Sequence, residues 1–274
     1  MLLSAMLLVS SSISVSAAPK VNVDSYLKEQ GFPQDYIIQL TPEQKEFFYK
    51  NKAEFVSRIN QKGNLSETKG QSLQANSFPG LIAPLEMNNW SATLSVVRYL
   101  SPSSGISKHA ITYNWTWNQR ANFNLTDKFG IAWTDDWDIV NGSARSNYAP
   151  SGVDSNGSYC STSSTKTGSD TYAAGAGVGW SFDIKHDFTA IGGNYCETSK
   201  HAGWGMVEVV KAHNGSGKSD SCSASATYFH KQGAINGSLG FDGTTPVVSL
   251  SPSFNYDKAV DTPHQWYWKH EDYI

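Results

Sequence analysis

The sequence predicts an all-β protein: an antiparallel β-sandwich or barrel-like domain preceded by a small α-helical N-terminal segment. Three observations carry this. Tyr113, Trp115 and Trp117 alternate with Asn114, Thr116 and Asn118, and Ile131 and Trp133 resume the apolar row, so the two runs read as a pair of antiparallel strands; a period of two marks a strand with one apolar and one polar face. The dipeptides Asn141-Gly142, Asn156-Gly157, Asn214-Gly215 and Asn236-Gly237, with Gly192-Gly193 and Asp242-Gly243, are turn signals because these residues tolerate positive φ. Helix formers become scarce after residue 61, where Ser, Thr, Gly and Asn dominate.

Taken in order, residues 1–18 read as a signal peptide, with an apolar Met1–Val9 and small residues at Val15-Ser16-Ala17-Ala18. No basic residue precedes the apolar run, which is too short to span a bilayer. No lipobox cysteine follows, so the expectation is a secreted protein, released to the medium or held at the cell wall, without a transmembrane segment.

Residues 19–61 read as a helical segment. Asp24 is a plausible cap for a short turn ended by Gly31, and Pro33 can open the next helix. Thr41-Pro42-Glu43-Gln44 has the form of a capping box. Phe48, Phe55, Val56 and Ile59 would then form one stripe of a helix running from Thr41 to about Asn60. Leu27-Lys28-Glu29-Gln30-Gly31-Phe32-Pro33, Tyr36, Leu40-Thr41, Glu43-Gln44-Lys45 and Phe48-Tyr49 resemble an N-terminal segment of uncharacterised secreted proteins of Gram-positive bacteria. That resemblance, over about residues 27–49, implies secretion and no particular chemistry.

Residues 62–84 have no periodicity and read as a linker. The β domain is expected over 85–274, with strands at 91–99, 110–118, 130–137, 178–185, 204–212, 221–230, 234–241 and 246–254, and a Ser/Thr/Gly-rich loop or weak edge strand at 161–170. One-face alternation predicts that Tyr113, Trp115, Trp117, Val178, Trp180, Phe182 and Ile184 are core, and that Asn114, Thr116 and Asn118 are more exposed. Of three cysteines, Cys160 and Cys196 share Gly-x-Tyr-Cys contexts beside turn residues, whereas Cys222 alternates with Ala224 and Ala226. Those contexts favour a Cys160–Cys196 disulfide with Cys222 buried.

Function is less legible. Charged residues are 16 % of the chain and the net charge is -3, which excludes the basic balance expected of a nucleic-acid partner. Ala212 to Ser219 approaches a phosphate-binding loop, but Ser/Ala alternation follows where a helix is required, so a glycine-rich hairpin tip is the better reading. Asp135, Asp136 and Asp138 are candidate calcium ligands, without the spacing of a known calcium loop. Asp135, Asp136, Glu197, Glu208 and Asp242 offer carboxylates from which a glycosidase pair could be drawn. Aromatic residues are 12 % of the chain, with nine Trp, and a secreted β domain can use such rings to stack on sugars. In His264 to His270, Trp266 and Trp268 share one face and Tyr267 takes the other, which makes these three the candidate ligand-binding patch. The leading expectation is a non-catalytic binding or surface-interaction protein whose partner is a carbohydrate or cell-surface component. A secreted glycan-acting hydrolase and a pore-forming or antimicrobial protein are the alternatives. The last rests on the Ser/Thr/Gly character of Ser161 to Gly179.

Overall fold

The computed structural model describes residues 22–62, 89–99, 105–121, 124–190, 192–212, 219–231, 236–251, 256–260 and 264–269. The expected signal peptide and nearly all of the expected linker lie outside these.

Three short helices open the described chain: α1 (Val23–Glu29), α2 (Gln34–Gln39) and α3 (Pro42–Lys50). Asn22, not Asp24, caps α1 by accepting from the Ser25 N–H, and Pro33 is the residue before α2 rather than its first. The capping box of α3 is present, with Thr41 Oγ1 accepting from Gln44 N and Gln44 Oε1 from Thr41 N. The helix expected to reach Asn60 stops at Lys50. Lys52 turns the chain at φ 50°, and β1 (Glu54–Lys62) follows. Phe55, Val56 and Ile59 fit a helix stripe and a bulged strand equally well, and the neighbouring strand decides. The chain pairs with β2 (Trp90–Tyr99), with a bulge between Phe55 and Ser57. Phe55 thereby packs among the helices, while Val56 and Ile59 pack on the sandwich interior.

The remaining strands are β3 (Ile106–Trp117), β4 (Thr126–Trp133), β5 (Asp138–Ile139), β6 (Arg145–Asp154), β7 (Tyr159–Ser161), β8 (Ser164–Thr167), β9 (Thr171–Ala173), β10 (Gly177–Asp183), β11 (Asp187–Thr189), β12 (Tyr195–Ala212), β13 (Ser219–Lys231), β14 (Ser238–Asp242), β15 (Val247–Ser251), β16 (Tyr256–Val260) and β17 (His264–Lys269). Among the described residues they form a nine-stranded sheet ordered β1-β2-β3-β12-β6-β7, which β5, β8 and β11 join. A six-stranded sheet runs β16-β13-β4-β10-β9, with β17 also on β13, and β14 and β15 form a separate pair.

Two expected hairpins are instead crossings between sheets. β3 and β4 read as a pair, yet β3 belongs to the large sheet and β4 to the small one. Their apolar rows face each other across the interior, with the Tyr113 and Phe129 ring centroids 6.2 Å apart and those of Trp115 and Phe129 6.3 Å apart. Likewise β12 and β13, which flank the phosphate-loop-like stretch, lie in different sheets and are not hairpin partners. Those residues lie outside the described set, but Ser219 opens a strand and not a helix.

The core holds Tyr113, Trp115, Trp117, Val178, Trp180 and Ile184 as expected, with Phe182 half-buried at its margin. Close approach of the two sheets sets a demand on glycine: a Cβ on Gly205 would stand 2.5 Å from the Phe129 ring and 2.7 Å from that of Trp180. The outer face of each sheet is covered as well. On the large sheet, Leu27, Phe32, Tyr36, Ile37 and Phe48 of the helical segment cluster with Val97, Ala110, Trp204 and Met206. This cover corrects the expectation for Asn114, which is buried. Gln44 of α3 exchanges two amide hydrogen bonds with it, at 3.0 and 3.1 Å. Thr116 is half-buried and Asn118 exposed. On the small sheet, Leu239, Val248 and Leu250 of the β14–β15 pair pack against Ala132 and Phe229.

Candidate functional site

Carboxylates are the first candidates for chemistry, and the structure gives most of them other partners. Glu208 is buried and paired with Lys108 at 2.7 Å, Glu197 pairs with Arg120, and Asp242 accepts from Thr244 N within its own turn. Asp135, Asp136 and Asp138 are exposed around the buried Trp137, and Asp136 pairs with Lys211. Among the described residues no group of three or more His, Cys, Asp or Glu is placed to hold a metal ion.

Of the C-terminal trio, Trp266 is buried with its ring 6.0 Å from that of His109. Tyr267 is 66 % exposed. The Trp268 side chain lies outside the described set. The five core rings named from alternation carry no surface platform either: Tyr113, Trp115, Trp117 and Trp180 are buried and Phe182 is half-buried.

What sequence reasoning missed is a polar cluster inside the sandwich. Asp127 is fully buried, and its carboxylate accepts from the Tyr228 hydroxyl, from His230 Nδ1 at 2.9 Å and from Lys231 N at 2.9 Å. The Trp117 ring lies between His230 and His201, at 4.8 and 5.4 Å. His201 Nδ1 and the Tyr148 hydroxyl are hydrogen-bonded at 2.8 Å, and that hydroxyl accepts from Lys185 N at 3.2 Å. Burial, reinforced by His230 and His186, lowers the His201 pKa to about 3. Burial raises that of Tyr148. A signal existed: Asp127 has the parity of Phe129, Ile131 and Trp133, and His230 that of Ala224, Ala226 and Tyr228. Enclosed behind Trp117, the Asp127–His230 pair offers no surface to a substrate.

Tyr148 and Lys185 bracket the one stretch that differs in construction from the rest. Over residues 145–185 the chain runs through β6, β7 and β8 of the large sheet and then through β9 and β10 of the small one. Every residue of β8 is exposed, and β7 and β9 are exposed or half-exposed throughout. Beneath them lies a cleft of about 430 Å³ lined by Tyr148, Pro150, Ser164, Phe182, Lys185 and, from β4, Phe129. Polar contacts span its rim: Asp170 accepts from Lys166 Nζ and Ser181 Oγ, both at 2.8 Å, and from Ser181 N at 2.7 Å. Burial raises the Asp170 pKa, but these hydrogen bonds outweigh it and the net shift is downward. The Trp180 indole N–H donates to Gly168 O at 2.7 Å.

The far end of this stretch is tied covalently to the body by the expected Cys160–Cys196 disulfide, while Cys222 is a buried free thiol. Beside the bridge, Val153 stands opposite both Tyr159 and Glu197 in register, which places Val153, Tyr159 and Tyr195 on one face of the sheet. They are 44 %, 75 % and 66 % exposed.

A second concavity, of about 550 Å³, lies between α2 and the outer face of the large sheet. Asn60, Thr93, Asn114, Trp204 and Asn147 form a single cross-strand row along it.

No family model matches the chain, and no curated protein matches it. Two solved structures align over most of its length. One, titled "Pore forming protein", is 11 % identical and covers 81 % of this chain and 97 % of its own, with a TM-score of 0.31. The other, the Clostridium perfringens NetB toxin in the membrane inserted form, is 12 % identical and covers 79 % and 98 %, with a TM-score of 0.29. Scores this low carry no functional argument.

Proposed function

We propose that the protein is a secreted, non-catalytic surface-binding protein that forms a membrane pore by extending residues 145–185 as a β-hairpin. The observation that carries this reading is the exposure of β7, β8 and β9 in the middle of that stretch, beside the 430 Å³ cleft. Strands with few buried apolar contacts open at low free-energy cost. Its second half is patterned for a bilayer. Tyr172, Ala174, Ala176, Val178, Trp180, Phe182 and Ile184 alternate with Thr171, Ala173, Gly175, Gly177, Gly179, Ser181 and Asp183. A membrane-spanning strand needs about 9–11 residues of such alternation. Val178 and Trp180 would leave the core, which costs about 2–3 kcal/mol each, and regain that burial in lipid. No described helix is long and apolar enough to cross a membrane, so strands are the route this reading requires. The exposed Tyr159 and Tyr195 supply amphipathic rings of the kind favoured at a membrane interface.

Release of a trapped dye from phosphatidylcholine vesicles, measured with and without a reductant, tests the proposal. Leakage in either condition, lost on deletion of residues 161–171, is the expected result. Absence of leakage in both conditions would overturn it.

The amide-rich row on the large sheet favours a second reading, a carbohydrate-binding protein, because amides and hydroxyls beside an indole suit a neutral sugar. Titration with N-acetylglucosamine and galactose oligosaccharides, followed by tryptophan fluorescence, checks it; an unchanged spectrum at millimolar sugar counts against it.

A further inference from the structure

We infer that the Cys160–Cys196 bridge is a thiol–disulfide exchange site: while oxidised it clamps the 145–185 stretch to the body, and a dithiol reductant releases it. The consequence for pore formation rests on the hairpin reading above; the clamp itself rests on the topology.

Cys160 lies in β7, within the stretch, and Cys196 lies near the start of β12, opposite Phe188 of β11 and Asp154 of β6, in a strand whose later residues His201–Ala212 pair with β3. Their Cα atoms are 6.5 Å apart and they are separated by 36 residues. Among the described residues the bridge is the only covalent cross-link, and the loop it closes contains β8, β9, β10 and β11. A hairpin rooted at Arg145 and Lys185 carries Cys160 roughly 50 Å from Arg145, at about 3.3 Å per residue. Cys196, held in β12, cannot follow.

A shorter hairpin that leaves the bridge intact does not solve the problem. Its ascending strand would be Ser161 to Thr171, Ser-Thr-Ser-Ser-Thr-Lys-Thr-Gly-Ser-Asp-Thr, without one apolar side chain to face lipid. The apolar residues available to that half, Tyr148, Ala149, Pro150, Val153 and Tyr159, all precede Cys160. Using any of them requires Cys160 to part from Cys196.

Access to the two sulfur-bearing residues is unequal. Cys160 is half-buried in a three-residue edge strand, and Cys196 is fully buried. A reductant thiolate therefore attacks Cys160 Sγ, forms a mixed disulfide and expels the Cys196 thiolate, which takes a proton from water. The second thiol of the dithiol then attacks its own sulfur in the mixed disulfide and frees Cys160 as a thiol. The reductant ends as a disulfide, and two electrons have passed to the protein. Cys222 stays outside this exchange because it is buried against Thr134.

The test compares oxidised protein, protein reduced with dithiothreitol, and the Cys160→Ser/Cys196→Ser double variant, which cannot be clamped and retains Cys222. Hydrogen exchange of residues 145–185 in solution reads the clamp, and dye release from phosphatidylcholine vesicles reads the pore. The clamp predicts exchange about tenfold faster or more in the reduced and double-serine proteins, with exchange in β2 and β3 unchanged. Faster exchange without dye release in any form would retain the clamp and sink the pore. Equal exchange in all three forms, or dye release by protein whose bridge is shown intact by mass, would overturn the clamp whatever the pore does.

Discussion

The body of the sandwich and the 145–185 stretch use the same alternating strands but differ in what covers them. β3 is buried at nearly every position because one face meets the opposite sheet and the other meets the helical segment. β7, β8 and β9 have three or four residues each, and none of them is buried. Alternation therefore says that a strand can form. Whether the strand is held depends on what packs against both of its faces, and the largest expected effects should follow that cover.

Truncation of Trp115 to Ala should be the most damaging change, costing about 3–5 kcal/mol. Its ring contacts Phe129, Tyr148, Phe182 and Tyr228 with centroids 4.8–6.3 Å apart. Tyr172→Ala, in β9 and 54 % exposed, should cost about 0.5 kcal/mol or less. Urea unfolding of both variants checks the contrast, and similar losses would erase the distinction between the two regions.

Asp127→Asn comes next. The substitution keeps the shape but removes the charge that His230 and Tyr228 are arranged around, and it turns one acceptor towards Lys231 N or His230 into a donor. A loss of about 3 kcal/mol is expected from a broken buried pair. Asp127 belongs to the body, so exchange in β8 should not change more than exchange in β13. Selective loosening of β8 would place the cluster in the stretch instead.

How far the sequence made this comparison visible depends on which residues are asked. Alternation marked β3, β4, β10 and β13, the Gly-x-Tyr-Cys contexts marked the disulfide, and Thr41 to Gln44 marked the start of α3. Alternation identifies the inward face of a strand but not the sheet that it joins, so β3 and β4 read as partners when they are opposed layers. β1 was hidden because Phe55, Val56 and Ile59 suit two periods. β6 was hidden because Pro150, Gly152 and two serines break its apolar row. The polar cluster was legible in parity, as a charge at an inward position of β4, but its partners His230 and His201 come from strands whose neighbours only the fold supplies.

Acid should weaken the junction between the two regions. An unfolded histidine titrates near 6.5, whereas burial holds His201 and His109 at about 3 in the folded protein. Between those values the unfolded chain binds more protons, so stability is full above about pH 6.5 and is lost as pH falls towards 3. Each group contributes at most about 1.4 kcal/mol per pH unit within that window. Thermal midpoints between pH 7 and 5 check this, since most carboxylates remain ionised there. His201→Gln should flatten the slope, and an unchanged slope would assign the effect elsewhere.

The smallest expected effect is the sharpest probe of the stretch. Lys166 Nζ bonds both Asp170 oxygens, at 2.8 and 3.0 Å, and Ser181 O at 3.1 Å, so it links β8 to β10 across the rim of the cleft. The Lys166 and Asp170 side chains are 44 % and 34 % exposed, a setting in which an ion pair contributes about 0.2–1 kcal/mol. Lys166→Ala should therefore leave the global unfolding midpoint nearly unchanged. Locally the effect is different in kind, because β8 is held by its pairing with β6, by the Thr165 hydroxyl between Asn147 and Glu43, and by this side chain, whereas β10 keeps Val178 and Trp180 in the core. Amides of β8 and β9 should exchange faster in the variant while those of β4 and β10 keep their rates. A global loss of several kcal/mol would instead make β8 part of the cooperative body, and the two regions would then unfold as one.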